Sequence, residues 1–268
     1  MNKTFKENID GALFSEATLA QALKIKPALI CQCGLVPKRS GLNLEFGDMF
    51  ALSSDLSPGQ YLIIDATSPH ELPKNPESFS AIMVSGSLSM VTDNHDWSIK
   101  LSKWLMGALN QNLPILGVCY GHQLLAQTLG GTVGYQPQGL KIGTLPISLK
   151  GEAKNHPLTS YLPDVFLANL AHSQAVLKIP PKAVILASAE HDPHQILAYG
   201  PKAVSLQFHP EFNQDVMEAF VSWAKSSQEA EIESEKKTPK KINFCLPLKP
   251  TPMATSLLSR FLKLALLT

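Results

Sequence analysis

A cysteine stands between two glycines in Leu116-Gly117-Val118-Cys119-Tyr120-Gly121, and much later the chain reads Gln207-Phe208-His209-Pro210-Glu211. These residue types suit nucleophilic catalysis: a thiol to attack, an imidazole to move its proton, and a carboxylate to orient the imidazole. Glycines two places either side of a nucleophile let a strand and the following helix approach closely, which pushes the nucleophile out at the turn between them. A free thiol, with a pKa of about 8.5, is only a few per cent ionised at neutral pH, so a helix N-terminus and an imidazolium beside it both favour the reactive form. Pro210 holds His209 in extended geometry, so that a turn can fold the Glu211 carboxylate back onto the ring. Each feature alone has a plainer explanation. A cysteine in an apolar stretch is more often a small core residue, and a histidine before proline is more often a strand-end residue. The combination is what points to chemistry.

The elements that must position these residues follow from hydrophobic periodicity. Pro114-Ile115-Leu116-Gly117 reads as the end of a buried strand, and Gln123 to Leu129 as a helix closed by Gly130-Gly131. Cys119 therefore falls on a strand-to-helix turn. Further strands are expected at Ala28-Leu29-Ile30-Cys31-Gln32, Gln60 to Ile64 and Ala81 to Val84, with a helix from Trp97 to Asn110 before the Cys119 strand. Short apolar strands alternating with helices predict an open, mainly parallel α/β sheet of flavodoxin-like type, covered by helices on both faces. Such sheets bind ligands at the carboxyl ends of their strands. A second, partly antiparallel set is expected at Gly143 to Leu149, Val165 to Leu170, Val184 to Ala189, Gln195 to Tyr199 and Ala203 to Gln207, and it should deliver His209 to Cys119.

The joint pattern Gly117-x-Cys119-x-Gly121-His122-Gln123-x-x-Ala126 with Gly130-Gly131 and then His209-Pro210-Glu211 resembles the class I glutamine amidotransferase family. Ile82-Met83-Val84-Ser85-Gly86-Ser87, followed by Val91-Thr92-Asp93 and Trp97, is similar to that family's oxyanion strand, loop and helix. Gln138-Gly139-Leu140-Lys141-Ile142-Gly143 and Ala171-His172-Ser173-Gln174-Ala175-Val176 resemble segments of the branch containing the amidotransferase domain of GMP synthase. The similarity runs from about Ala28 to about Ala224.

The resemblance implies Cys119 as nucleophile, His209 as base and then acid, and Glu211 as its orienter. It implies backbone N–H groups near Gly86 and at Tyr120 as the oxyanion site, worth several kcal/mol when aimed at developing charge. It further implies substrate contacts at Gln123, His172, Ser173 and Gln174, with a hydrogen-bonding structural role equally open for His172. Leu88, Thr92 and Ala171 depart from the family pattern, which bears on substrate shape rather than on the triad. The reaction implied is hydrolysis of the side-chain amide of L-glutamine through a γ-glutamyl thioester, without metal or organic cofactor. No phosphate loop of the form G-x-x-x-x-G-K-[ST] follows the amidotransferase-like region. The ammonia would then pass to a separate synthetase partner or be released. The alternatives are a stand-alone γ-glutamyl peptidase with the same triad, or a catalytically silent binding protein on the same fold, which labelling by a thiol-reactive glutamine analogue would distinguish.

Bulk properties bound the rest. The chain has 268 residues and 44% hydrophobic composition, enough for one α/β domain with terminal additions. A net charge of +1 gives no reason to expect nucleic acid as a partner. Four cysteines at irregular spacing, no apolar region after Met1-Asn2-Lys3, and no apolar run of spanning length lead to the expectation of a reducing, cytoplasmic setting. Residues 1–27 are expected to form a helical extension, with a helix over Ser15 to Lys24, and 28–225 the amidotransferase-like domain. Residues 226–253 are expected to be a charged and proline-rich flexible linker, and 254–268 an amphipathic basic helix. That helix is expected to dock on its own domain or a partner, with weak membrane-surface contact as the alternative. Cys31-x-Cys33 reads as core packing, and His191-Asp192-Pro193-His194 as a polar turn rather than a metal site.

Overall fold

The computed structural model describes residues 21, 26–69, 72–137, 139–233 and 242–267. The helix expected over Ser15 to Lys24 lies, but for Gln21, outside them. Five parallel strands form the centre: β1 (Ala28–Gln32), β2 (Tyr61–Asp65), β3 (Ile82–Val84), β4 (Ile115–Val118) and, from the far end of the chain, β11 (Ala203–Leu206). Their spatial order, β2-β1-β3-β4-β11, is the flavodoxin-like one. Every residue of β1, β3, β4 and β11 is buried, as their near-continuous apolar sequences require of strands covered on both faces.

Alternate side chains of these strands feed two cores. Ile30, Met83, Leu116 and Val118 pack toward α1 (Phe46–Ser53) and α5 (Pro252–Leu266), meeting Phe50, Leu257, Leu258 and Phe261. Leu29, Ile82 and Ile115 pack toward α2 (Asp96–Asn110) and α3 (Tyr120–Thr128), meeting Leu101, Leu105, Leu124 and Leu125. The sheet continues antiparallel from β11 through β10 (Asp192–Ala198) and β9 (Val184–Ala189) to β6 (Leu140–Leu149), against which β7 (Val165–His172) pairs. A separate antiparallel pair joins β5 (Thr132–Tyr135) to β8 (Gln174–Lys178). The architecture is thus an α/β mixed sheet with helices on both faces, as the strand spacing implied.

After residue 225 the described residues depart from the flexible linker expected there. Helix α4 (Gln214–Glu233) runs through its beginning, and β12 (Ile242–Cys245) adds to the sheet edge in parallel with β6, Ile242 opposite Leu140 and Phe244 opposite Ile142. Lys225 Nζ sits 5.6 Å from the centre of the Phe244 ring, tying helix to strand. Charge density masked this order, because α4 buries its Val216, Met217, Phe220, Val221 and Ala224 face and leaves Asp215, Glu218, Lys225 and Glu229 in solvent. Helix α5 begins with Pro252 in its first turn, where a missing N–H costs nothing, and buries Ala254, Leu257, Leu258, Phe261 and Leu262 on the chain's own core. Its apolar face is therefore occupied within the fold. No helix among the described residues is long and apolar enough to cross a membrane.

Candidate active site

Three neighbouring strands end at one level of the sheet. Val84 of β3 is opposite Gly117 of β4, and Leu206 of β11 is opposite Val118, so the residues that follow emerge side by side at the carboxyl edge: Gly86, Cys119 and His209. Cys119 precedes α3 with φ 51° and ψ −99°, a strained backbone for a residue with a side chain and the geometry of a nucleophile on a sharp turn. The flanking glycines are steric necessities. A Cβ at Gly117 would lie 2.5 Å from the Gly121 carbonyl oxygen, and one at Gly121 would lie 2.5 Å from that of Val84.

The His209 Nδ1 is 2.7 Å from Glu211 Oε1, with both side chains nearly inaccessible to solvent. Since Nδ1 is engaged, Nε2 is the nitrogen free to work on the thiol. Burial alone would push the imidazole pKa down, but the Glu211 carboxylate and the Cys119 side chain outweigh it and raise it to about 10. Phe212 stacks on the ring, centroids 4.0 Å apart and planes within 12°. The backbone of His209 bridges to β7, its N–H donating to the Asn169 carbonyl at 2.7 Å. The buried Asn169 side chain donates to the Phe212 carbonyl (2.9 Å) and to Thr251 Oγ1 (3.3 Å), and accepts from Thr144 Oγ1 (2.9 Å). This amide fastens the His209–Phe212 turn to both β7 and the start of α5. Ser53 Oγ donates to the Glu211 carbonyl from α1.

Opposite the imidazole, Gly86 leaves room for it: a Cβ there would come 2.8 Å from His209 Cε1 and 3.6 Å from Cys119 Cβ. The Gly86 carbonyl accepts from Ser85 Oγ at 2.8 Å, and the Cys33 N–H donates to the same hydroxyl at 2.9 Å, which fixes the loop after β3. Tyr120 opens α3, and a first-turn N–H has no partner within its own helix.

A cavity of about 310 Å³ adjoins Cys119 and reaches from the loop after β3 to α4 and β12. Gln123, His172, Ser173 and Gln174 all line it. The Gln123 amide is heavily committed, donating from Nε2 to the Gln174 carbonyl (2.7 Å) and to Gln207 Oε1 (3.1 Å). His172 Nδ1 meets the same Gln174 carbonyl at 2.9 Å, and burial is the main cause that lowers its pKa. These bonds hold the turn between β7 and β8 against the cavity. The three departures from the family pattern now have places. Thr92 Oγ1 accepts from Gln174 Nε2 at 2.6 Å, the Ala171 carbonyl lies 3.9 Å from Cys119 Sγ, and Leu88 is an exposed part of the cavity lining.

Comparison with known proteins agrees with this geometry. The family model described as glutamine amidotransferase class-I matches residues 60–222. The chain belongs to the class I glutamine amidotransferase family. Among curated relatives, γ-glutamyl peptidase 5 of Arabidopsis thaliana is 28% identical over 59% of this chain and 62% of its own length. A glutamine-hydrolysing GMP synthase subunit of Methanococcus vannielii is 30% identical over 56% of this chain and 73% of its own. This chain thus spans less than two thirds of the plant peptidases it matches. A glutamine amidotransferase of Thermotoga maritima superposes with a TM-score of 0.67 at 18% identity, over 91% of this chain and 99% of that one, which shows the same fold.

Sequence reasoning passed over Phe212, Asn169 and Gln207 as parts of this candidate site. Phe212 directly follows Glu211, and Asn169 is a lone amide in the apolar strand Val165–His172, so both carried a signal: an aromatic beside the triad motif and a polar group that burial would force to find partners. Trp223 and Ile242 carried none: no helix was expected over Gln214–Glu233, and Ile242 falls in the segment read as a linker. The described residues contain no cluster of histidine, cysteine or acidic side chains able to hold a metal. His194 Nδ1 instead meets the Val176 carbonyl at 2.6 Å, and Asp192 accepts from the His194 N–H and from Gln195 Nε2. Cys31 and Cys33 are free and buried in the core, where desolvation raises their pKa values.

Proposed function

We propose that this chain is a cysteine-dependent amide hydrolase that cleaves the γ-carboxamide of L-glutamine. The observation that carries this reading is the His209–Glu211 pair, bonded at 2.7 Å and set beside a cysteine on a strained strand-to-helix turn. In the first half-reaction His209 Nε2 holds the proton drawn from the thiol, and the Cys119 sulfur attacks the γ-carbonyl carbon. The carbonyl oxygen gathers negative charge facing the backbone N–H of Tyr120 and the loop at Gly86. The C–N bond then breaks, ammonia leaves with the proton from His209, and a γ-glutamyl thioester remains. In the second half His209 takes a proton from water, the hydroxide forms the new C–O bond, and the C–S bond breaks to give glutamate and the free thiol. Glu211 keeps the imidazole in one tautomer and stabilises its charged form throughout. The cavity beside Gln123, Ser173 and Gln174 is the place for the amino-acid end of the substrate.

A second reading differs in leaving group alone. A γ-glutamyl peptide would use the same steps and release an amine in place of ammonia, and the cavity's extension to α4 and β12 favours it. Where ammonia is the product, the similarity to a GMP synthase component supports a synthetase partner as its recipient. Purified protein offered glutamine and a panel of γ-glutamyl peptides, with released ammonia or amine measured, tests both readings. Activity lost in Cys119→Ala and in His209→Ala is the expected result. Full activity in Cys119→Ala would overturn the mechanism, and strong preference for a peptide would replace the glutamine assignment.

A further inference from the structure

The cavity at Cys119 has two chemically distinct walls. Gln123, Ser173 and Gln174 present polar groups, whereas Leu140 and Ile142 of β6, Phe220 and Trp223 of α4, and Ile242 of β12 present hydrocarbon. Ammonia is a single polar molecule, and a γ-glutamyl group ends in an ammonium and a carboxylate. Neither gains from an apolar wall.

Aromatic contacts locate that wall relative to the reacting atoms. The Trp223 ring meets the edge of Phe220 with centroids 6.2 Å apart, Phe220 meets Phe212 at 4.9 Å, and Phe212 stacks on His209 at 4.0 Å. A continuous row of rings, buried behind the cavity at Phe212, thus links the apolar wall to the base. In the proposed reaction His209 hands its proton to the departing nitrogen, so the side of the site nearest His209 is the side from which the amine leaves. Resting on that reading, we infer that α4 and β12 form a subsite for the amine half of the substrate, and that this amine carries an apolar group, an aromatic ring fitting best. Flat rings gain from contact with Trp223 and Phe220 both by apolar burial and by offset stacking. Ile242 and Leu140 are opposed across the parallel pair of β12 and β6, which closes the far edge of the wall. Leu140, Ile142 and Phe220 lie within the family match and Trp223 and Ile242 just beyond its end at residue 222.

The test compares three amides that share the γ-glutamyl half: L-glutamine, γ-L-glutamylglycine and γ-L-glutamylbenzylamide. The expected result is kcat/KM at least tenfold higher for the benzylamide than for the other two. Trp223→Ala, and separately Ile242→Ala in case the first fails to fold, should narrow that preference at least tenfold. No preference for the benzylamide, or equal losses on all three substrates in a folded variant, overturns the subsite. Calorimetric binding to Cys119→Ala protein reads the subsite without chemistry: the benzylamide should bind at least tenfold tighter than glutamine, and Trp223→Ala should abolish the difference. Should no amide be turned over while this binding difference holds, the hydrolase reading fails and the subsite stands. Equal binding of the two compounds refutes the subsite whatever the turnover.

Discussion

Gly86→Ala isolates the demand that the proposed triad places on space. The added methyl would stand 2.8 Å from His209 Cε1, while carbon atoms in ordinary contact are about 3.5 Å apart, so ring and methyl must separate by about 0.7 Å. The ring has little freedom to yield, since Glu211 holds it at 2.7 Å on one nitrogen and Phe212 covers its face at 4.0 Å. A misplacement approaching 1 Å costs about 100-fold in rate, so kcat is expected to fall about 10- to 100-fold, or roughly 1.4–2.8 kcal/mol of transition-state stabilisation. Gly86 is outside the left-handed region of the backbone, so alanine is conformationally acceptable and the fold should survive. Steady-state release of ammonia or amine, with thermal unfolding measured alongside, checks the expectation. Gly151→Ala is the control, because nothing lies within 4 Å of its added methyl. A folded Gly86→Ala protein with kcat within about twofold of wild type would refute the demand for the imidazole at its observed place.

Glu211→Gln removes the carboxylate that raises the His209 pKa to about 10. In the proposed mechanism His209 must hold its proton to deliver it to the amine, so activity should be lost as pH rises through this pKa, and the alkaline limb of kcat/KM should move to lower pH in the variant. An unmoved limb would assign it to another group. The same linkage governs stability: with the folded pKa above the ordinary 6.5, the contribution of protonated His209 is complete below about 6.5 and disappears as pH rises through about 10. The difference in thermal midpoint between wild type and Glu211→Gln should therefore shrink from pH 6 to pH 10, on the scale set by those two values. Asn169→Ala strips partners from Thr144 Oγ1 and the Phe212 carbonyl, costing about 1–3 kcal/mol. It should also lower kcat by loosening the His209–Phe212 turn, and a stability loss with unchanged kcat would confine Asn169 to the scaffold. Leu258→Ala, at a fully buried position on α5, should cost about 2–5 kcal/mol in chemical denaturation. A cost below about 0.5 kcal/mol, typical of surface sites, would mean that α5 is not docked in solution.

How much of this molecule could be read in advance varied with the range of the interactions involved. The Cys119 turn was legible because its requirements are local: two glycines, an apolar strand before and a helix pattern after. Strands β1, β3 and β4 announced themselves as apolar runs for the same reason, and β9 matches its expected span, Val184–Ala189. Elements whose order depends on distant partners were missed. The short strand β8 and the edge strand β12 are held mainly by pairing with β5 and β6, and the helical pattern of α4 was hidden by the charges on its outer face.

Sequence alone determined the residue types, the turn that lifts the thiol out of the sheet, and the alternation of strand and helix that makes a parallel sheet the economical way to bury so many apolar runs. It did not determine which strand ends would become neighbours. That is decided when both faces of the sheet are covered at once: β11 must return beside β4, and only then do His209, its Phe212 cover and the Asn169 clasp arrive at Cys119. The apolar wall of α4 and β12 has the same origin. Its members are far apart along the chain, and packing alone brings them to one cavity.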